Sequence, residues 1–174
     1  MKNKFLFCIV FFGLNVSAGV MTSVGQNHDF EKSAEAGQYI DRTPLALRVG
    51  YREFENALFV EYNQFRSSES FSRILISRTH HELLVWGRHQ FWTNDIFQLY
   101  TQAAPGLQLE HVQTNYFYET QEDTSKPVLA LAAAAGLAVE INHYRVELEM
   151  RALTSALSNP NPTLGVGFYG GYLF

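Results

Sequence analysis

From Pro44 onward, apolar and polar side chains alternate with a period of two. In Leu45-Ala46-Leu47-Arg48-Val49-Gly50-Tyr51 the odd positions are apolar and the even ones small or charged. Successive strand residues point to opposite faces, so the pattern predicts a two-faced strand over 44–53. The same alternation predicts strands over 57–66, 71–78, 82–92, 144–153 and 163–174. Short polar stretches separate them: Glu55-Asn56, residues 67–70, Arg78-Thr79-His80-His81 and Thr93-Asn94-Asp95. In 82–92, Trp86 and Trp92 fall on one parity. Strand 144–153 is the clearest, with Val146, Leu148, Met150 and Ala152 facing one way and Arg145, Glu147, Glu149 and Arg151 the other.

Two segments admit more than one reading. Over 96–118, Phe97, Leu99, Ala103, Leu107 and Leu109 keep one parity across Pro105-Gly106. One long bent strand or two strands turning at 104–106 both fit. The unbroken parity favours one strand, with Pro105 at an edge-like or bulged position. The alanine-rich 128–140 is a helix by propensity. Its leucines and valine sit on alternate positions with Ala and Gly between, which favours a strand. Residues 119–126 are acidic and polar and read as a loop. Residues 19–43 are polar without clear periodicity and read as a loosely attached lead-in. The count is eight strands over 44–174.

The alternation alone does not say which face is inside. The clear strands run to about the 9–11 residues of a tilted membrane span, against 5–6 in soluble sheets. Tyr51, Tyr62, Tyr172 and Phe174 lie near the ends of apolar faces, where an interfacial girdle belongs. An eight-stranded barrel is just wide enough for side chains to fill. With the polar face inside, the Ala and Gly runs of 128–140 and 163–174 make room for the long charged residues of 144–153. The expected fold is therefore all-β: an antiparallel up-and-down transmembrane β-barrel of eight strands with its apolar face toward lipid. Closure then sets strand 44–53 beside 163–174. Buried charges need partners, so Arg48, Arg52, Arg145 and Arg151 are expected to pair with Glu61, Glu140, Glu147 or Glu149 in a salt-bridged lumen.

The start of the chain adds an address. Lys2 and Lys4 precede an apolar run over 5–14, and Val16-Ser17-Ala18 fits a small-x-small cleavage site. Residues 1–18 read as a signal peptide, too short in its apolar run for a helical span. Cys8, the only cysteine, lies inside that run, so no disulfide scaffold or cysteine site is expected after cleavage. Acidic residues number 17 against 13 lysines and arginines. That balance disfavours nucleic-acid binding, which needs a basic patch.

The signal peptide, the alternating strands and the run Gly165-Val166-Gly167-Phe168-Tyr169-Gly170-Gly171-Tyr172-Leu173-Phe174 together resemble the small outer-membrane β-barrels of Gram-negative bacteria. The resemblance covers 44–174. It implies outer-membrane localisation and contact with outer-membrane lipid and lipopolysaccharide. It also implies an assembly signal read by the barrel-assembly machinery, carried by Phe168, Tyr172 and Phe174, with Gly170 a gap in the aromatic series.

Catalytic motifs are weak. Gly165 to Gly170 match G-x-G-x-x-G, but no helix follows to receive a phosphate. His80-His81-Glu82 are adjacent, so a strand would point the two histidines apart. The His-x-Ser pair of the lipid A deacylase family is absent, and Ser68, Ser70 and Ser72 have no evident base. The reading is a structural or interaction barrel without a catalytic site, cofactor or metal. An outer-membrane lipid-modifying enzyme and a periplasmic lipocalin-like binding barrel are the alternatives.

Overall fold

The computed structural model describes residues 19–32, 39–71, 74–94, 96–116, 119–155 and 162–174. The expected signal peptide lies outside the described residues. Ten strands occur among them: β1 (Gly19–Lys32), β2 (Tyr39–Arg42), β3 (Leu45–Glu53), β4 (Asn56–Phe71), β5 (Ile74–Thr93), β6 (Phe97–Asn115), β7 (Thr120–Thr124), β8 (Val128–Ile141), β9 (Tyr144–Ser155) and β10 (Thr163–Leu173). Eight of them close an antiparallel barrel in the order β1-β3-β4-β5-β6-β8-β9-β10, with β10 returning to β1. The strand count matches the expectation, but its composition differs at two places.

First, the lead-in reading of 19–43 does not hold, because β1 is a wall strand. It pairs with β10 from Met21↔Leu173 to Phe30↔Leu164 and with β3 from Gly19↔Arg52 to Gln26↔Leu45. Strand β3 therefore lies beside β1, not beside the last strand. The outward face of β1 carries Val20, Val24 and Phe30, but Thr22, Gln26 and His28 stand between them. A half-polar outer face hides the period. Strand β2 continues the line of β3 on the same register, joined through an Asn27 N–H to Pro44 carbonyl bond of 3.1 Å.

Second, residues 74–78 of the expected strand 71–78 and all of 82–92 belong to one strand, β5, while Phe71 and the expected turn at 67–70 belong to β4. The expected connection at 78–81 is paired throughout with β4, from Ser67↔Arg78 to Gln64↔His81. Polar composition marked it as a break, yet this part of β5 stands beyond the barrel wall. Strand β3 pairs with β4 only over 56–64, and β8 with β6 only over 97–108. Past those points β4, β5 and β6 continue, and β7 joins β6 at His111↔Thr124 to Asn115↔Thr120. The expected loop 119–126 is thus largely strand. Residues 65–71 alone extend roughly 23 Å along the strand at ~3.3 Å per residue. A four-stranded blade rises from one side of the barrel.

The single-strand reading of 96–118 and the strand reading of 128–140 both hold. Pro105 is in mid-strand, paired toward β8. On its other side the β5 ladder skips from Leu84↔Gly106 to Gly87↔Ala103, where proline has no N–H to give. The first short turn is Phe54 and Glu55, one residue earlier than the pattern placed it. It lies with Asn94, Ile96, Asn142, His143, Gly19 and Phe174 at one end of the barrel.

Burial alternates along every wall strand. Outward residues such as Leu47, Val60, Leu83, Leu131, Leu148 and Val166 are exposed, whereas Arg48, Glu61, Trp86, Ala134 and Glu149 are buried inside. Trp92 breaks its expected parity with Trp86. A bulge between Gln90 and Trp92 shifts the register by one, so Trp86 is wholly inside and Trp92 faces out.

Candidate functional site

The eight charged residues singled out from the sequence all point into the barrel. Arg48 on β3 is wholly buried and reaches three carboxylates: Glu61 on β4 at 2.5 Å, and Glu147 and Glu149 on β9 at 3.0 and 2.6 Å. Arg145 donates to Glu147 at 2.5 Å and to Glu140 at 3.1 Å. Arg52 pairs with Glu140, and Arg151 donates to Glu61 at 3.0 Å. The register explains these meetings. Inward positions of β3, β4, β8 and β9 present charges at matched heights, as in Arg48↔Glu61 and Glu140↔Arg145.

The structure adds members that were not singled out. Arg88 on β5 clasps Glu147 with both terminal nitrogens, at 2.6 and 2.7 Å. Such two-point guanidinium–carboxylate contacts are among the stronger charge-assisted bonds. Glu147 therefore receives Arg48, Arg88 and Arg145 together. Arg151 also donates to Glu82 at 2.9 Å and lies 3.8 Å from Asp29. Arg88 and Glu82 share the parity of Trp86, so strand 82–92 carried the signal. Asp29 was hidden by the lead-in reading of β1.

Neutral polar groups complete the set. Asn63 donates to Glu61 at 2.6 Å and Glu82 at 2.7 Å, and Gln102 donates to Glu149 at 2.9 Å. Tyr100 donates to Glu149 at 3.2 Å, and Tyr169 donates to Asn27. The two tyrosines also carry arginines on their faces. The Arg48 guanidinium carbon is 3.3 Å from the Tyr169 ring centre, and that of Arg88 is 4.0 Å from Tyr100.

Two glycines make room for those rings. A side chain at Gly25 would strike the Tyr169 ring at 2.2 Å, and one at Gly136 the Tyr100 hydroxyl at 2.5 Å. Each tyrosine lies flat over a glycine on the neighbouring strand, at Gly25↔Tyr169 and Tyr100↔Gly136. Ala132, Ala134 and Ala138 line the same wall with small side chains. Against that wall Trp86 packs on Phe59 with ring centres 6.3 Å apart.

The remaining candidates fall elsewhere. His80 and His81 lie within β5 and separate to opposite faces. His80 stacks on Phe65 at 4.2 Å and approaches Glu110 at 3.4 Å, whereas His81 bonds Tyr62 at 2.6 Å. Ser68 is on β4 opposite Ser77, and Ser72 lies outside the described residues. Phe168, Tyr172 and Phe174 are on the outer side of the last strand. Tyr172 contacts Tyr144 and Phe174 edge to face at 5.4 and 4.8 Å.

No protein-family model and no curated protein sequence matches the chain. Solved structures do. Neisserial surface protein A is 12% identical with a TM-score of 0.69, over 90% of this chain and 97% of its own. A major outer membrane protein of Thermus thermophilus is 7% identical with a TM-score of 0.67, over 91% and 100%. Ail, the attachment invasion locus protein of Yersinia pestis, is 13% identical with a TM-score of 0.58, over 90% and 97%. At such identities the likeness is one of fold: a closed, antiparallel, up-and-down barrel. The sidedness agrees, with an apolar exterior and a charged interior. A lipocalin-like binding barrel needs the reverse, and that alternative falls.

Proposed function

This chain is a small eight-stranded β-barrel of the outer-membrane type, and from that premise we propose that it is a closed, non-catalytic outer-membrane protein with a structural or interaction role. The carrying observation is the convergence of Arg48, Arg88 and Arg145 on Glu147 at the middle of the lumen. Ion pairs continue from there to Arg52 and Glu140 at the turn end and to Glu82 and Asp29 at the other. An eight-stranded lumen has little width to spare. A chain of paired charges along it acts as a plug, not a pore.

With the lumen closed, contact with other molecules falls to the outside. The exterior belt meets outer-membrane phospholipid and lipopolysaccharide. Outer-membrane barrels have short periplasmic turns, so the blade of β4 to β7 projects from the cell surface and is the part placed to meet a partner. During biogenesis Phe168, Tyr172 and Phe174 serve as the signal for the barrel-assembly machinery.

Liposome swelling tests the plug. Vesicles carrying the protein should admit small sugars no faster than protein-free vesicles, and porin-like flux would contradict the proposal. Cell fractionation tests the location. The protein should sediment with the outer membrane and show heat-modifiable gel migration. Recovery in the soluble periplasm would overturn the reading.

A further inference from the structure

One row of the outer wall is polar. Asn56 on β4 pairs with His89 on β5, His89 pairs with Thr101 on β6, and all three are outward and exposed. His89 and Thr101 each stand four residues inside the turn-end limit of their strand, about 13 Å along it at the usual strand rise. Outward Phe91 and Leu99 lie between them and the turns, and outward Val85 and Leu107 lie beyond them. These two residues are thus enclosed within the apolar belt. Polar side chains facing hydrocarbon are costly, and where they occur they point to a partner.

The wall beside this row is hollow. The next row along the same strands is Leu58, Gly87, Ala103 and Ala133, and Ala135 continues the polar row. A Cβ added at Gly87 would meet nothing within 4 Å. Asn56, Gly87, His89, Thr101 and Ala103 line a shallow depression of about 530 Å³. Exposed Leu58 stands on one side, and exposed Met150, paired with Ala135, on the other. Between transmembrane helices, small residues let two surfaces approach and polar side chains bond across the contact. The same two ingredients adjoin here on a barrel wall.

The hydrogen-bonding groups of the row suit a second copy of it. Asn56 Oδ1 accepts from His89 Nδ1 at 3.0 Å, which leaves Nε2 of the ring as an acceptor. The Asn56 amide and the Thr101 hydroxyl are donors. Across a two-fold axis the donors of one copy face the imidazole acceptor of the other, so the patch is complementary to itself. An acyl chain fills the hollow but satisfies none of these groups. The outward polar residues of β1 have no such hollow. Gln26 stands between Leu45 and Phe168, and His28 is beside Thr43.

We propose that this face is a homodimer contact, in which two copies pack the outer walls of β5, β6 and β8 together with Asn56, His89 and Thr101 bonding across a two-fold axis. The inference rests on the membrane-spanning reading above and names a second copy of the chain as a partner. Two measurements on the protein refolded into phosphatidylcholine–phosphatidylglycerol vesicles test it.

The first is resonance energy transfer between copies labelled with donor or acceptor at a cysteine placed at Ser68 in the blade. Transfer should rise with the protein-to-lipid ratio and fit a dimer. His89→Leu and Gly87→Leu should each weaken that dimer roughly tenfold, while Gln26→Leu, on the opposite wall, leaves it unchanged. All three should keep heat-modifiable migration. Leucine suits lipid better than histidine, so a wall that meets only lipid tolerates both substitutions with no change in transfer. The second is crosslinking by copper–phenanthroline, which oxidises two thiols to one disulfide. Cysteine at Ala103 should link two copies, and cysteine at Val24, on the opposite wall, should not. Transfer no higher than random proximity at every ratio, a His89→Leu variant that dimerises like the parent, or equal crosslinking at 24 and 103 overturns the dimer and leaves the barrel reading standing. Failure of the parent protein to insert overturns both.

Discussion

Arg48 and Glu147 meet at 3.0 Å inside the barrel although β1 and β10 separate their strands around the wall. The bond spans the lumen and ties the first half of the chain to the second. Glu147 holds two further arginines, so removing its carboxylate leaves three guanidinium groups short of a partner. Glu147→Ala should destabilise the barrel by about 3–5 kcal/mol, the usual cost of breaking a buried pair from one side. Urea titration of the folded gel band measures this.

The tyrosine–glycine contacts make a paired prediction about space. A methyl group at Gly25 meets the Tyr169 ring, the support under Arg48, and the Phe168 carbonyl at 2.4 Å. Gly25→Ala should cost about 1–3 kcal/mol, as overpacking does. Gly170, on the outer face of the same region, has nothing within 4 Å of an added Cβ. Gly170→Ala should lie within about 0.5 kcal/mol of the parent. Equal effects in the same titration would contradict the assignment of faces.

Lipid contact predicts a dependence on position along a strand. Arginine at Val85, on the outer wall of β5, should cost about 2–4 kcal/mol, the penalty near a bilayer midplane. Arginine at Thr79, on the same outward parity but in the blade, should cost little. Refolding yields into vesicles compare the two directly.

The blade should be separable from the barrel. Replacing residues 68–77 with a two-residue turn leaves the β4–β5 wall pairing intact and removes only the projecting part. The shortened protein should still show heat-modifiable migration. Loss of folding would mean that the blade is part of the barrel core.

The sequence was informative where both faces of a strand were pure in kind. Strand β9 alternates Val, Leu and Met with Arg and Glu, and its inner charges were legible before any partner was known. It was uninformative where one face was mixed. Strand β1 puts Thr, Gln and His among its outward residues, so the first wall strand and Asp29 were missed. Blade residues 78–81 leave the apolar belt, so their strand pattern no longer follows hydropathy. The Phe91 bulge reversed the side of Trp92 by a one-residue insertion that alternation does not register. The small-residue faces of β8 and β10 showed that something large lies opposite. They did not show that Tyr100 and Tyr169 lie directly on Gly136 and Gly25.

The central claim is that the apolar face meets lipid while the charged face is sealed inside. Single cysteines placed in turn at 145–151 of β9, in protein refolded into vesicles, test it most directly. Fluorophores at 146, 148 and 150 should be quenched by lipid-borne nitroxides, and those at 145, 147, 149 and 151 should not. Water-soluble maleimide should reach neither set in the folded barrel. Lipid quenching at 147 and 149 would reverse the faces, and maleimide labelling there would open the lumen; either result contradicts the account.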